Sequence, residues 1–149
     1  MHNDMIKPDD EGPEMPRFLG WAGLIPFAVA ALCTHSGVDG LVLYGFLGGT
    51  GYAAIILAFL GAVHWGLAMQ DNRHNYWYIW AVTPSLLATV TLMLFDVQWR
   101  LVALIPLFGL VWSVDMQAAQ RGLFPRWYMA LRTQLTIGAI ISLSVMFFA

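Results

Sequence analysis

Five stretches of this chain run without one charged side chain: residues 18–38, 40–70, 74–95, 101–114 and 133–149. A helix crossing a bilayer needs about 20 largely apolar residues. Three of the runs are long enough as they stand. The fourth and fifth reach that length only by drawing in flanking residues, giving 99–119 and 127–148. The composition allows no other solvent but lipid. Charged residues make up 11% of the chain, against about a quarter in a soluble domain. Seven Trp, nine Phe and five Tyr meanwhile demand burial. A transmembrane β-barrel would alternate apolar and polar residues in segments of about ten, and these runs do not alternate. The expected fold class is all-α: a polytopic membrane helix bundle of about five transmembrane helices.

Residues 1–16, MHNDMIKPDDEGPEMP, are acidic, poor in apolar residues and carry three prolines. They read as a short disordered cytoplasmic tail, and no secretory signal pattern is present. Residues 17–149 read as a single transmembrane helical domain without internal repeat or linker. The lone cysteine, Cys33, has no partner for an intramolecular disulfide. Lys and Arg of short loops gather on the cytoplasmic face. Lys7, Arg17, Arg73, Arg121, Arg126 and Arg132 fall on one side and Arg100 alone on the other. The expectation is an N-terminus inside and a C-terminus outside.

The second run has 31 residues, too many for one crossing, and GFLGGTG (45–51) interrupts it with glycines that cost helix stability. A short interfacial segment is therefore expected at 39–47, with the crossing at about 50–69. Within that crossing Ala54, Ala58, Ala62 and Gly66 recur every four residues, a ladder that lets another helix approach closely in lipid. His64 points about 140° away from the ladder at 100° per residue. Both sides of this helix are expected to be occupied. Pro26, Pro84 and Pro106 each fall inside a crossing, where each frees a carbonyl and tends to kink the helix. Thr83 and Ser85 are placed to satisfy the carbonyl freed by Pro84.

The shortage of apolar residues in the last two crossings drags charges inward. Asp115 lies about a turn inside its helix, and Arg132 lies five residues beyond Trp127, roughly 7 Å along the axis. His64 stands seven residues before Asp71, roughly 10 Å deep. Pro84 and Ser85 reach a comparable depth from the same side. Charges at such depth are costly, so Asp115 is expected to pair with Arg132. Tyr128, Arg132 and Thr136 share a face at four-residue spacing, expected to turn toward Asp115 and His64. His64 itself is expected to face the interior and bond a polar group on the third or fifth crossing.

The segments PRFLGWAGLIPF (16–27), FLGAVHWG (59–66), TPSLLA (83–88) and VDMQAAQRGLFPRWYMALRTQLT (114–136) together resemble the domain of unknown function 3429 family of small membrane proteins. The likeness runs from Pro16 to about Leu143. It implies a bacterial inner membrane, or a mitochondrial inner membrane in a eukaryote, and brings no catalytic residue.

Two main functions remain open on the residues. The first is a non-catalytic accessory or assembly factor, whose partner is another membrane protein or a second copy. The other is a binding module for a quinone or an anionic lipid in the cytoplasmic leaflet. There Trp65, Trp127 and Tyr128 would line an interfacial pocket, Ser85 would stand nearby, and His64, Asp115 and Arg132 would supply the polar groups. Third come an enzyme using His64 and Asp115 as acid and base, or an ion carrier. No resident cofactor is expected. No Cys/His spacing suggests zinc, and no basic face suits nucleic acid.

Overall fold

A computed structural model describes residues 12–70 and 75–149. The tail expectation falls mostly on residues 1–11, outside the described residues, as do Arg73 and His74. Among the described residues six helices follow in order: α1 (Glu14–Ala22), α2 (Ile25–Thr34), α3 (Asp39–Gln70), α4 (Tyr76–Leu94), α5 (Val97–Gln120) and α6 (Arg126–Phe147). Taking α1 and α2 as one span, five are long and apolar enough to cross a membrane. Their outward faces carry Leu32, Ile55, Ile79, Leu86 and Ile137, all exposed, which suits lipid and not water.

The first crossing is broken, not bent. Gly23 and Leu24 form a turn, and Pro26 stands in the opening turn of α2, where its missing N–H costs no helical bond. The Gly23 carbonyl bared by the break accepts from the Tyr52 hydroxyl of α3 at 2.9 Å.

The second crossing corrects the expectation of a separate interfacial segment. Residues 39–47 are the first turns of one uninterrupted helix of 32 residues, about 48 Å long at 1.5 Å per residue. The glycines do not break α3; Gly48 and Gly51 face open space, while neighbours need the room that Gly45 and Gly49 leave. A Cβ on Gly45 would stand 2.9 Å from the Ala30 carbonyl oxygen of α2. Further along, a Cβ on Gly61 would strike the Ala81 carbonyl of α4. Helix propensity matters less here than backbone approach, the main source of helix association in lipid.

These contacts also relocate the small-residue face. The buried residues of α3 are Gly45, Gly49, Ala53, Leu57, Gly61, His64 and Ala68 among others. Of the ladder read from the sequence, Ala54 and Ala58 are half-buried, while Ala62 and Gly66 are exposed. So α3 packs through one face and leaves the end of the other open.

Two turns position the last helices. At the end of α4, Asp96 caps α5 by accepting from the Trp99 N–H, and the Arg100 Nε–H donates to the Phe95 carbonyl at 2.8 Å. At the other end, Gly122 adopts φ +77 after α5, a conformation that favours glycine. The Gly122 N–H returns to the Ala119 carbonyl and the Leu123 N–H to that of Ala118, a Schellman closure. Pro125 then starts α6. The motif GLFP thus turns the chain within a few residues and points Phe124 back at the bundle. α5 and α6 are further joined by Trp112 Nε1–H donating to the Thr133 hydroxyl at 2.9 Å.

One apolar cluster, including Phe27, Leu57, Leu101, Leu104, Phe108 and Leu143, fills the middle of the bundle. A smaller one, with Ala68, Trp77 and Ala118, lies near the end where α3 stops and α4 begins.

Candidate functional site

Between these clusters lies a buried polar layer. Asp115 of α5 is at its centre, 1% exposed. Its Oδ1 lies 2.7 Å from His64 Nε2 of α3, and its Oδ2 accepts from Arg132 Nε of α6 at 2.8 Å. The Arg132 Nη1–H donates to the Thr136 hydroxyl, one turn along α6, and that hydroxyl donates to the Arg132 carbonyl at 2.8 Å. His64 and Arg132 are 1% and 4% exposed, so no water competes for these bonds. Three helices are tied by three side chains. With both carboxylate oxygens engaged, Asp115 is compensated as a buried charge must be.

Aromatic rings seal the layer. Trp77 of α4 stacks on His64 with centroids 5.2 Å apart, and Phe124 meets the same imidazole edge-on at 5.6 Å. Phe124 in turn stacks on Tyr128 at 4.7 Å. The turn built on Gly122 thus closes the end of the site.

His64 faces the interior, but its polar partner differs from the expectation. It bonds Asp115 on the fourth crossing, not a group on the third or fifth. The reason is competition: α4 offers His64 a ring, and Arg132 is already committed to the other carboxylate oxygen. Asp115, Arg132, His64 and Tyr128 come together with Thr136. Ser85 and Trp65 do not join them. The Ser85 hydroxyl donates to the Val82 carbonyl on its own helix, and Thr83 likewise to Ile79, so neither serves the Trp80 carbonyl that Pro84 leaves without its donor. Trp65 is 43% exposed and packs edge-on against Tyr78, away from the layer. Adjacent positions on a helix point about 100° apart, so a buried His64 carries Trp65 outward.

Beside the polar layer runs a cleft of about 460 Å³ between the α1–α2 span, α3 and α6. Leu19, Leu24, Phe59, Leu60, Leu131 and Leu135 supply much of its wall, with Trp127 and Tyr128 toward the start of α6. Arg132 is the one member of the triad that lines it. Its Nη2 is buried without a hydrogen-bond partner among the described residues, as is His64 Nδ1. A buried donor left unpaired costs free energy. The Tyr128 hydroxyl lies within electrostatic reach of both Asp115 and Arg132. Among the described residues, no group of three His, Cys, Asp or Glu is placed to hold a metal.

Trp77, Phe124 and the α1–α2 wall of the cleft did not emerge from the sequence reading. Phe124 had a signal in the GLFP turn; ring stacking and the cleft depend on tertiary packing alone.

The comparisons with known proteins agree with this architecture. A model of the family described as "Protein of unknown function (DUF3429)" matches residues 12–148. "Transmembrane protein 69" of Xenopus tropicalis is 34% identical over 143 residues, covering 93% of this chain and 55% of the relative. The chain thus spans about half the length of that curated relative. No solved structure matches it. With nearly its whole length matched, from before α1 to the last residues of α6, the chain belongs to the DUF3429 family of membrane proteins.

Proposed function

We propose that this protein binds a lipid-soluble amphiphile in the cleft beside α6, with Arg132 holding the polar head. One observation carries the reading: Arg132, 96% buried and with a guanidinium nitrogen that finds no hydrogen-bond partner among the described residues, is one of the residues that line a mainly apolar cleft. The volume of about 460 Å³ falls within the range of ligand pockets, on the order of 300–1,000 Å³. An acceptor atom from a ligand would satisfy Nη2, and a hydrocarbon tail would follow the leucines. The acid–base reading has less support, because neither His64 nor Asp115 lines the cleft where a substrate would enter. The accessory or assembly reading rests on the open Ala62–Gly66 end of α3, a surface that suits a second helix without specifying one.

The proposal places the protein in a bacterial inner membrane, or the mitochondrial inner membrane, with the N-terminus inside. The site then lies in the inner leaflet. A reporter active only outside the cytoplasm, fused after Ala149, is expected to be active; a silent fusion there with an active one at Asp71 reverses the orientation. For the ligand, protein purified in a mild detergent and measured by native mass spectrometry is expected to retain a stoichiometric amphiphile. Leu135→Trp, which fills the cleft, is expected to lose it. Retention of the same molecule by both proteins would place it elsewhere.

A further inference from the structure

The charge count around Arg132 determines what kind of head the cleft accepts. Arg132 is not a free cation. Its Nε–H is committed to Asp115 Oδ2 at 2.8 Å, and Nη1 to Thr136. With His64 neutral, one buried guanidinium is matched by one buried carboxylate, whose second oxygen is taken by His64 Nε2 at 2.7 Å. What remains unmatched is hydrogen-bonding capacity at Nη2, not positive charge. An anionic head in the cleft would set two negative charges against one positive inside a low-dielectric bundle, and a surplus buried charge is costly. A carbonyl oxygen takes the Nη2 proton with no change in net charge. Tyr128, which also lines the cleft, carries a hydroxyl that can donate to a carbonyl oxygen and adds no charge. Leu131, Leu135 and Phe59 along the wall offer contact to a ring or chain and nothing to a second charge.

We infer that the cleft selects a neutral amphiphile headed by a carbonyl, of the quinone class, over fatty acids and acidic phospholipids. This rests on the reading of the cleft as a ligand site, and the experiment separates the two. Tritiated decyl-benzoquinone is titrated into the full-length protein in nanodiscs of phosphatidylcholine, with oleate or dioleoyl phosphatidate as competitor. Saturable binding is expected, with neither anion displacing the label at equal mole fraction. Leu135→Trp, which leaves the ion pair untouched, is expected to weaken binding by at least about tenfold. Asp115→Asn removes the matching charge, so oleate is expected to compete at least about tenfold better than in the wild type. If that variant does not fold, the wild-type competition and Leu135→Trp still decide. Displacement of the quinone from the wild type by oleate at equal or lower concentration overturns neutral-head selection and leaves the cleft as a site. Absence of saturable quinone binding overturns the quinone class alone, and quinone binding that Leu135→Trp leaves intact overturns both.

Discussion

The two ends of the bundle are held by different forces. Toward the turn that joins α4 to α5, the helices meet through hydrocarbon, with Leu101, Leu104, Phe108, Leu143 and Met146 buried, and the hydroxyls of the buried Thr34, Thr50 and Thr91 donate to carbonyls of their own helices. Toward the turn that joins α5 to α6, the helices meet through His64, Asp115, Arg132 and Thr136 under a lid of Trp77 and Phe124. In water the apolar end would dominate stability, since burial of hydrocarbon drives folding. In lipid, tails are as apolar as leucine, so that end gains packing alone. The polar end gains bonds that lipid cannot replace, and it suffers most when one partner is lost. Sensitivity to mutation should follow that asymmetry.

The largest effect is expected from Asp115→Asn. It leaves Arg132 buried without its counter-charge, and breaking such a pair costs about 3–5 kcal/mol. Unfolding by sodium dodecyl sulfate in mixed micelles measures it. Arg132→Gln added to Asp115→Asn is expected to recover much of the loss, because no charge then remains uncompensated. A double variant as unstable as the single one would show that Arg132 holds the bundle by shape and not by charge.

His64→Phe comes next. It keeps the ring that stacks on Trp77 but deletes the bond to Asp115 Oδ1, and hydrogen bonds to charged groups contribute about 1.5–3 kcal/mol. At the apolar end, Leu104→Ala opens a cavity beneath a fully buried side chain. In soluble cores such changes cost about 2–5 kcal/mol; here the transfer contribution fades, and a loss near the low end, about 2 kcal/mol, is expected. The same micelle assay ranks the variants. Leu104→Ala exceeding Asp115→Asn would reverse the contrast between the two ends.

The legibility of these features in the sequence followed the same division. Charge-free runs revealed the crossings, because length and hydropathy are local properties. The pairing of Asp115 with Arg132 followed from the deficit of apolar residues around both, since a short run must pull its flanks inward. Gly45 and Gly49 misled for the opposite reason. A glycine reads as a helix breaker until a neighbour is known to press on it, as the Ala30 carbonyl does on Gly45 and Ala30 and Met146 do on Gly49. The cleft was hidden altogether, since its walls come from α1, α2, α3 and α6 with Phe108 of α5, and no single helix carries its pattern.

The smallest effect is expected at Ser85, and it tests the boundary of the polar layer. Depth along the sequence placed this residue level with His64. Depth does not fix direction, however, and the helix rotates about 100° per residue. Ser85 is half-buried, and its hydroxyl donates to the Val82 carbonyl one turn back at 2.9 Å. That carbonyl is also within reach of the helix's own ladder, so removing the hydroxyl leaves no buried group stranded. Ser85→Ala should therefore stay within about 0.5 kcal/mol of the wild type, the range of substitutions away from packed or bonded features. It should also leave quinone binding unchanged, because Ser85 does not line the cleft. A loss comparable to that of His64→Phe would mean that α4 contributes a polar group to the layer as well as the Trp77 ring, and the layer would then join four helices instead of three.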